Sequence, residues 1–133
     1  MVVIDTNIVL DLLVFSDPAS QPLRQALQSG SLRWLATGAM RVELQRVLGY
    51  PQIAPRLGFY QLAPEQVLAG FDQWARLVDA APRTAFVCKD ADDQQFIDLA
   101  VAHQALLLSK DQMVLRLAKR LLAAGVRVRP TIG

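Results

Sequence analysis

Cysteine and histidine each occur once in the 133 residues, as Cys88 and His103. A closed zinc site draws several ligands from these two types, so zinc chemistry of the Cys/His kind is excluded. One cysteine makes no internal disulfide, and the expectation is an intracellular, cytoplasmic protein. No apolar run reaches the roughly 18 residues of a membrane span, and no basic leader precedes an apolar segment with a cleavage site. Membrane association is therefore not expected. The chain also lacks G-x-G-x-x-G, the phosphate-cradling loop G-x-x-x-x-G-K-[ST] and the G-x-S-x-G elbow, which removes the usual dinucleotide, nucleoside-triphosphate and acyl-transfer readings. With no internal repeat, linker or low-complexity stretch, residues 1–133 read as a single domain.

Hydrophobic residues make up 53% of the chain and charged residues 20%, with a mean hydropathy of +0.26. That composition suits a packed α/β interior and excludes a disordered chain. The formal charge is +2, from 14 basic and 12 acidic residues. Basic residues spread along the chain suit phosphate contacts and ordinary solvated surface alike. The acids are more telling: ten of the twelve are aspartate, a poor helix-interior residue that favours caps, turns and metal sites.

Short apolar runs alternate with helical patterns. Val2-Val3-Ile4, Trp34-Leu35-Ala36, Ala85-Phe86-Val87, Leu106-Leu107-Leu108 and Val126–Arg129 read as strands. Helical periodicity places helices from about Ile8 to Leu13, Leu23 to Ser29, Ala39 to Leu48, Pro64 to Ala81, Phe96 to Val101 and Val114 to Leu122. The stretch "GYPQIAPRLGFYQLAPEQ", residues 49–66 with three prolines and two glycines, reads as a loop or a set of short helical turns. Strands apolar on both faces, separated by helices, predict a parallel sheet covered by helices on two sides. In such folds ligands bind beyond the carboxyl ends of the strands, where strand order reverses.

That edge is where the acids fall. Asp5 leaves the first strand in "VVIDTN"; Glu43 lies one turn into the helix after the second. Asp90, Asp92 and Asp93 follow the third strand, and Asp111 the fourth. Carboxylates gathered in one crevice repel one another until protonation or a hard divalent cation relieves them. Magnesium or manganese suits such oxygen ligands and supports water attack on a phosphodiester. The competing reading is helix capping, open to Asp5, Thr6, Asn7, the Asp90–Asp93 group and Asp111.

In combination, "VVIDTNIVLDLL", Glu43, "KDADDQQFIDLA" and "LLLSKDQMVLRL" resemble the four acidic landmarks of the PIN domain, nearest to the toxin components of prokaryotic toxin-antitoxin pairs. The resemblance implies a three-layer α/β/α fold with a central, mainly parallel five-stranded sheet. It implies a Mg2+- or Mn2+-dependent endoribonuclease acting on RNA, a homodimer, and an antitoxin partner. Asp5, Glu43, Asp93 and Asp111 match the metal-binding, catalytic acids, with Asp90 and Asp92 as rivals to Asp93. Asn7 matches a residue that orders the site, and Ser109 a hydroxyl that holds the fourth acid or a water. Two positions depart from the pattern: Lys110 stands where relatives have a small residue, and Met113 where they have another acid. Lys110 can pair with Asp111, occupy the place of the metal, or, like Lys89, contact RNA phosphate.

Other readings stay open beside this one. A PIN-like module that binds RNA or protein without turnover would accommodate Lys110 and Met113. Asp5 as a phosphate acceptor is a third reading, weakened by Asn7 where a second aspartate is expected. His103 reads as an edge residue, Cys88 as a small core residue, and Trp34 and Trp74 as core or interface aromatics. The segment from Gly49 to Gly58 and the helix beyond it offer a dimer or antitoxin surface, unless their apolar residues are all core.

Overall fold

The computed structural model describes residues 1–132. Its strands are β1 (Val2–Ile4), β2 (Trp34–Ala36), β3 (Ala75–Leu77), β4 (Leu106–Leu108) and β5 (Val128–Arg129). They form one sheet in the order β3-β2-β1-β4-β5, with every neighbouring pair parallel. The helices are α1 (Thr6–Leu13), α2 (Gln21–Ser29), α3 (Gly38–Leu48), α4 (Ala54–Phe59), α5 (Pro64–Trp74), α6 (Gln94–His103), α7 (Gln112–Leu115) and α8 (Ala118–Ala123). They flank the sheet in the three-layer α/β/α arrangement that the sequence pattern predicts.

Central strands β1 and β4 lack the in-out alternation of a half-exposed sheet because helices cover both faces. Val2, Val3 and Ile4 are all buried, as are Leu107 and Leu108. Against β2, Trp34 meets Phe71 of α5 edge to face, with ring centroids 5.0 Å apart. Local chemistry sets several helix ends. Thr37 caps α3 by accepting from the Met40 amide at 3.3 Å, and α2 stops where Gly30 takes φ +79°, a conformation that costs glycine little.

Three expectations require correction. The third strand is Ala75–Leu77, not residues 85–87, and α5 ends at Trp74 rather than continuing to Ala81. Ala75-Arg76-Leu77 is too short for apolar periodicity to separate strand from helix, and pairing with Trp34–Ala36 decides the matter. Three backbone groups of residues 84–88 instead pair with side chains of α6. The Thr84 amide donates to Asp98 Oδ1 and the Cys88 amide to Gln94 Oε1, while Gln94 Nε2 donates to the Phe86 carbonyl. Finally, the last helical stretch divides into α7 and α8, and Leu122 is exposed.

Along the segment after α3 the expected short helical turns are present as α4. Leu57 is buried there, whereas Phe59, Tyr50 and Tyr60 are exposed. In α5 the inward residues are Val67, Leu68 and Phe71. Those three belong to the core.

Candidate active site

The chain runs β1 to β2 to β3 in one direction across the sheet, then returns to place β4 and β5 on the other side of β1. This reversal puts the switch point between β1 and β4, where the carboxyl ends of two neighbouring strands open a crevice. Asp5 is the first residue after β1, and Ser109 the first after β4. Both are buried.

Asp5 occupies the N-cap position of α1, yet its side chain makes no capping hydrogen bond. Its carboxylate is engaged across the sheet instead: Ser109 Oγ donates to Asp5 Oδ2 at 2.7 Å. Burial raises the Asp5 pKa, and Asp111 adds to the rise, while the Ser109 bond and the amides of Asn7 and Thr6 oppose it. The same Ser109 oxygen accepts from the Asp111 amide at 3.1 Å. Ser109 therefore couples the first acid to the backbone of the fourth. The resemblance implies that this hydroxyl holds the fourth carboxylate or a water; in the structure it donates to the first, because it emerges beside Asp5 from the adjacent parallel strand.

Glu43 comes from α3 and is buried. Thr6 Oγ1 donates to its Oε2 at 2.5 Å. Burial again raises the pKa most, the Thr6 bond lowers it, and the charges of Asp5 and Asp92 raise it. Within the D-T-N stretch, Thr6 is thus the residue whose side chain orders an acid, while Asn7 is exposed and lies outside the buried set. Its place one turn-step around α1 from the inward face accounts for that difference.

Asp93 is the centre of the cluster. It is buried at the start of α6, makes no capping bond, and its Oδ2 has no hydrogen-bond partner. Burial, the charge of Asp5, the adjoining Asp111 carboxyl and the charge of Asp90 together raise its pKa to about 8. Asp90, Asp93 and Asp111 each offer a carboxylate oxygen within 4.8 Å of the others. Asp90 and Asp111 also act as caps. Asp90 accepts from the Asp92 amide at 3.0 Å and Asp111 from the Met113 amide at 2.7 Å, so capping and clustering coexist at both positions. Asp92 is exposed and outside the triad, but its charge reaches Glu43.

The two lysines part company. Lys110 Nζ pairs with Asp11 Oδ2 at 2.5 Å, pointing back along α1 rather than toward Asp111. Lys89 is exposed beside Asp90. Among the groups given structural readings from sequence, Cys88 is buried, and burial with the nearby charges of Asp93, Asp111 and Asp90 raises its thiol pKa despite an opposing backbone bond. It is therefore a protonated thiol at neutral pH, unsuited to nucleophilic attack.

Gln94 and Asp98 escaped the sequence reading. Gln94 Nε2 donates to Asp98 Oδ1 at 2.8 Å, and together they clamp residues 84–88, the strap that carries Lys89 and Asp90 to the cluster. A signal existed: two polar residues at i and i+4 beside the apolar positions Phe96, Ile97 and Leu99 fall on one helix face, where burial obliges polar groups to find partners.

Comparison with protein families matches residues 1–113 to the PIN domain. The match spans most of the chain and contains all the clustered acids, and the protein belongs to the PIN domain family. No curated protein matches the sequence. PIN domains are in general nucleases that bind divalent metals, and this chain has the nuclease-type fold and an acidic triad. The donor set fits such an ion. It is all carboxylate oxygen, which hard cations prefer, and the unpartnered buried oxygen of Asp93 faces neighbours of its own charge. The described helices include none long and apolar enough to cross a membrane.

Proposed function

We propose that this protein is an endoribonuclease dependent on Mg2+ or Mn2+, with Asp5, Glu43, Asp93 and Asp111 as the acids that hold the metal. Asp90 adds a further ligand at the mouth of the site, and Asp92 contributes charge beside Glu43. The observation that carries the reading is the buried, unpartnered Asp93 Oδ2 within a triad of carboxylates. When bound, the metal neutralises charge on the phosphoryl oxygens and activates water for attack on phosphorus. The chain supplies the rest. Ser109 keeps one Asp5 oxygen fixed, and Thr6 does the same for Glu43. Fixed first ligands reduce the reorganisation needed to admit a charged phosphodiester.

Cleavage of a mixed single-stranded and structured RNA pool, with Mg2+, Mn2+ or chelator, tests this beside Asp5→Asn. The expected result is strand scission that needs both metal and Asp5. Scission unchanged in Asp5→Asn would contradict it. The reading of a binding module without turnover draws on Met113, since the Asp11 pair turns Lys110 away from the acids. Tight RNA binding with no cleavage under any of these metals would select that alternative.

The role we infer in the cell is that of a cytoplasmic, homodimeric toxin restrained by an antitoxin. Its support is the sequence resemblance together with exposed Phe59, Tyr60 and Val42, which suit protein contact. Growth arrest on expression, relieved by Asp5→Asn, and a dimer mass in solution are the expected outcomes.

A further inference from the structure

Beside the acidic cluster runs a groove of about 200 Å³, lined by Val87, Lys89, Met113, Arg116, Leu117 and Arg120. One wall is the strap that leads into Asp90, and the other is built by α7 and α8. The groove adjoins the cluster through Met113, whose amide donates to Asp111 Oδ1. Met113, Arg116 and Arg120 succeed one another at steps of three and four residues, which places them along one side of a helical path. Arg116 Nη1 lies 3.8 Å from Met113 Sδ. That contact draws the guanidinium along the groove wall.

The charge of this region is of one sign. Residues 112–133 carry five basic residues, Arg116, Lys119, Arg120, Arg127 and Arg129, and no acidic one. The ion pairs among the described residues are Arg41–Asp72 and Lys110–Asp11, so Lys89, Arg116 and Arg120 have no carboxylate pair there. An unpaired row of cations over an apolar floor suits a polyanion with flat faces. Phosphates meet the cations, while bases or ribose lie against Val87, Met113 and Leu117.

We propose that this groove holds the phosphate backbone of single-stranded RNA on one side of the bond to be cut, with Lys89, Arg116 and Arg120 as the phosphate-binding residues. The proposal rests on the ribonuclease reading of the adjacent acids and gives its substrate a direction of approach.

Anisotropy of a labelled 12-nucleotide single-stranded RNA in chelator, where nothing is cut, tests the groove apart from catalysis. Arg116→Ala/Arg120→Ala is expected to weaken binding about tenfold or more and to lower the slope of log K against log salt by about 1.4, at about 0.7 per phosphate contact. Arg116→Lys/Arg120→Lys should recover most of the loss, and Arg33→Ala/Arg76→Ala, on the β2 and β3 side, should leave affinity unchanged. Unaltered affinity and slope in the double alanine variant would overturn the proposal. So would loss of binding to an oligoglutamate peptide with RNA binding retained, which would make the groove a protein site. Wild-type cleavage is measured separately: binding that depends on the arginines without metal-dependent cleavage would keep the groove and reject the nuclease.

Discussion

Ser109 Oγ donates to Asp5 Oδ2 at 2.7 Å, joining residues 104 positions apart in the chain. The bond exists because β1 and β4 are neighbours in register, Ile4 opposite Leu108, so the residues that follow them meet at the sheet edge. Ser109→Ala removes a donor that lowers the Asp5 pKa. Mn2+ affinity should fall roughly tenfold, the lower end for loss of a partner that orients a ligand. Calorimetric titration of wild type and variant checks this. Equal affinities would show that Asp5 is not held for metal.

Thr6→Val keeps the shape of the side chain and deletes the donor to Glu43 Oε2. A buried carboxylate without that donor is expected to cost about 1–3 kcal/mol of stability in metal-free protein at pH 7. Its pKa should rise further, because the Thr6 bond is the largest influence lowering it. Urea unfolding gives the first quantity and carboxyl chemical-shift titration the second.

Asp93 gives the metal-free protein a characteristic pH dependence. Its folded pKa of about 8 lies above the ordinary 3.8, so the folded state binds this proton more tightly than the unfolded chain does. Stability from this group is present at low pH, declines as pH rises from about 4 to about 8, and is level above that. Asp93→Asn removes this group's part of the dependence. In chelator, the variant should gain on wild type across that window and hold a steady advantage above it, measured by urea unfolding at each pH. Parallel stability curves would contradict the assignment.

Lys110→Ala separates two roles for this lysine. Since Lys110 pairs with Asp11 at an exposed position, the expected stability loss is below about 1 kcal/mol. Mn2+ affinity should be unchanged. A clear gain in affinity would mean that the ammonium competes with the ion.

Much of this was legible in the sequence where chemistry and spacing agree. Val2–Ile4 and Leu106–Leu108 are continuous apolar runs of the kind that buried parallel strands carry, and Asp5 and Asp111 fall just beyond them. The acids were visible because a carboxylate next to a buried strand demands an explanation. What stayed hidden depends on contacts between distant segments. Ala75–Leu77 is a strand because Trp34–Ala36 is available to pair with it. Residues 84–88 form no ladder, and Gln94 and Asp98 instead take up the Thr84 and Cys88 amides and the Phe86 carbonyl. Thr6 and Asn7 look alike as caps, and only the position of Glu43 on α3 distinguishes them.

The most direct test is calorimetric titration of Mn2+ into metal-free protein at pH 7, in two buffers that differ in protonation enthalpy. With its pKa pushed up to about 8, Asp93 favours its protonated form at this pH, so binding should release protons, and Asp93→Asn should reduce that release together with much of the affinity. Binding that Asp93→Asn leaves intact would contradict the carboxylate cluster as the metal centre, and binding without proton release would contradict the raised Asp93 pKa.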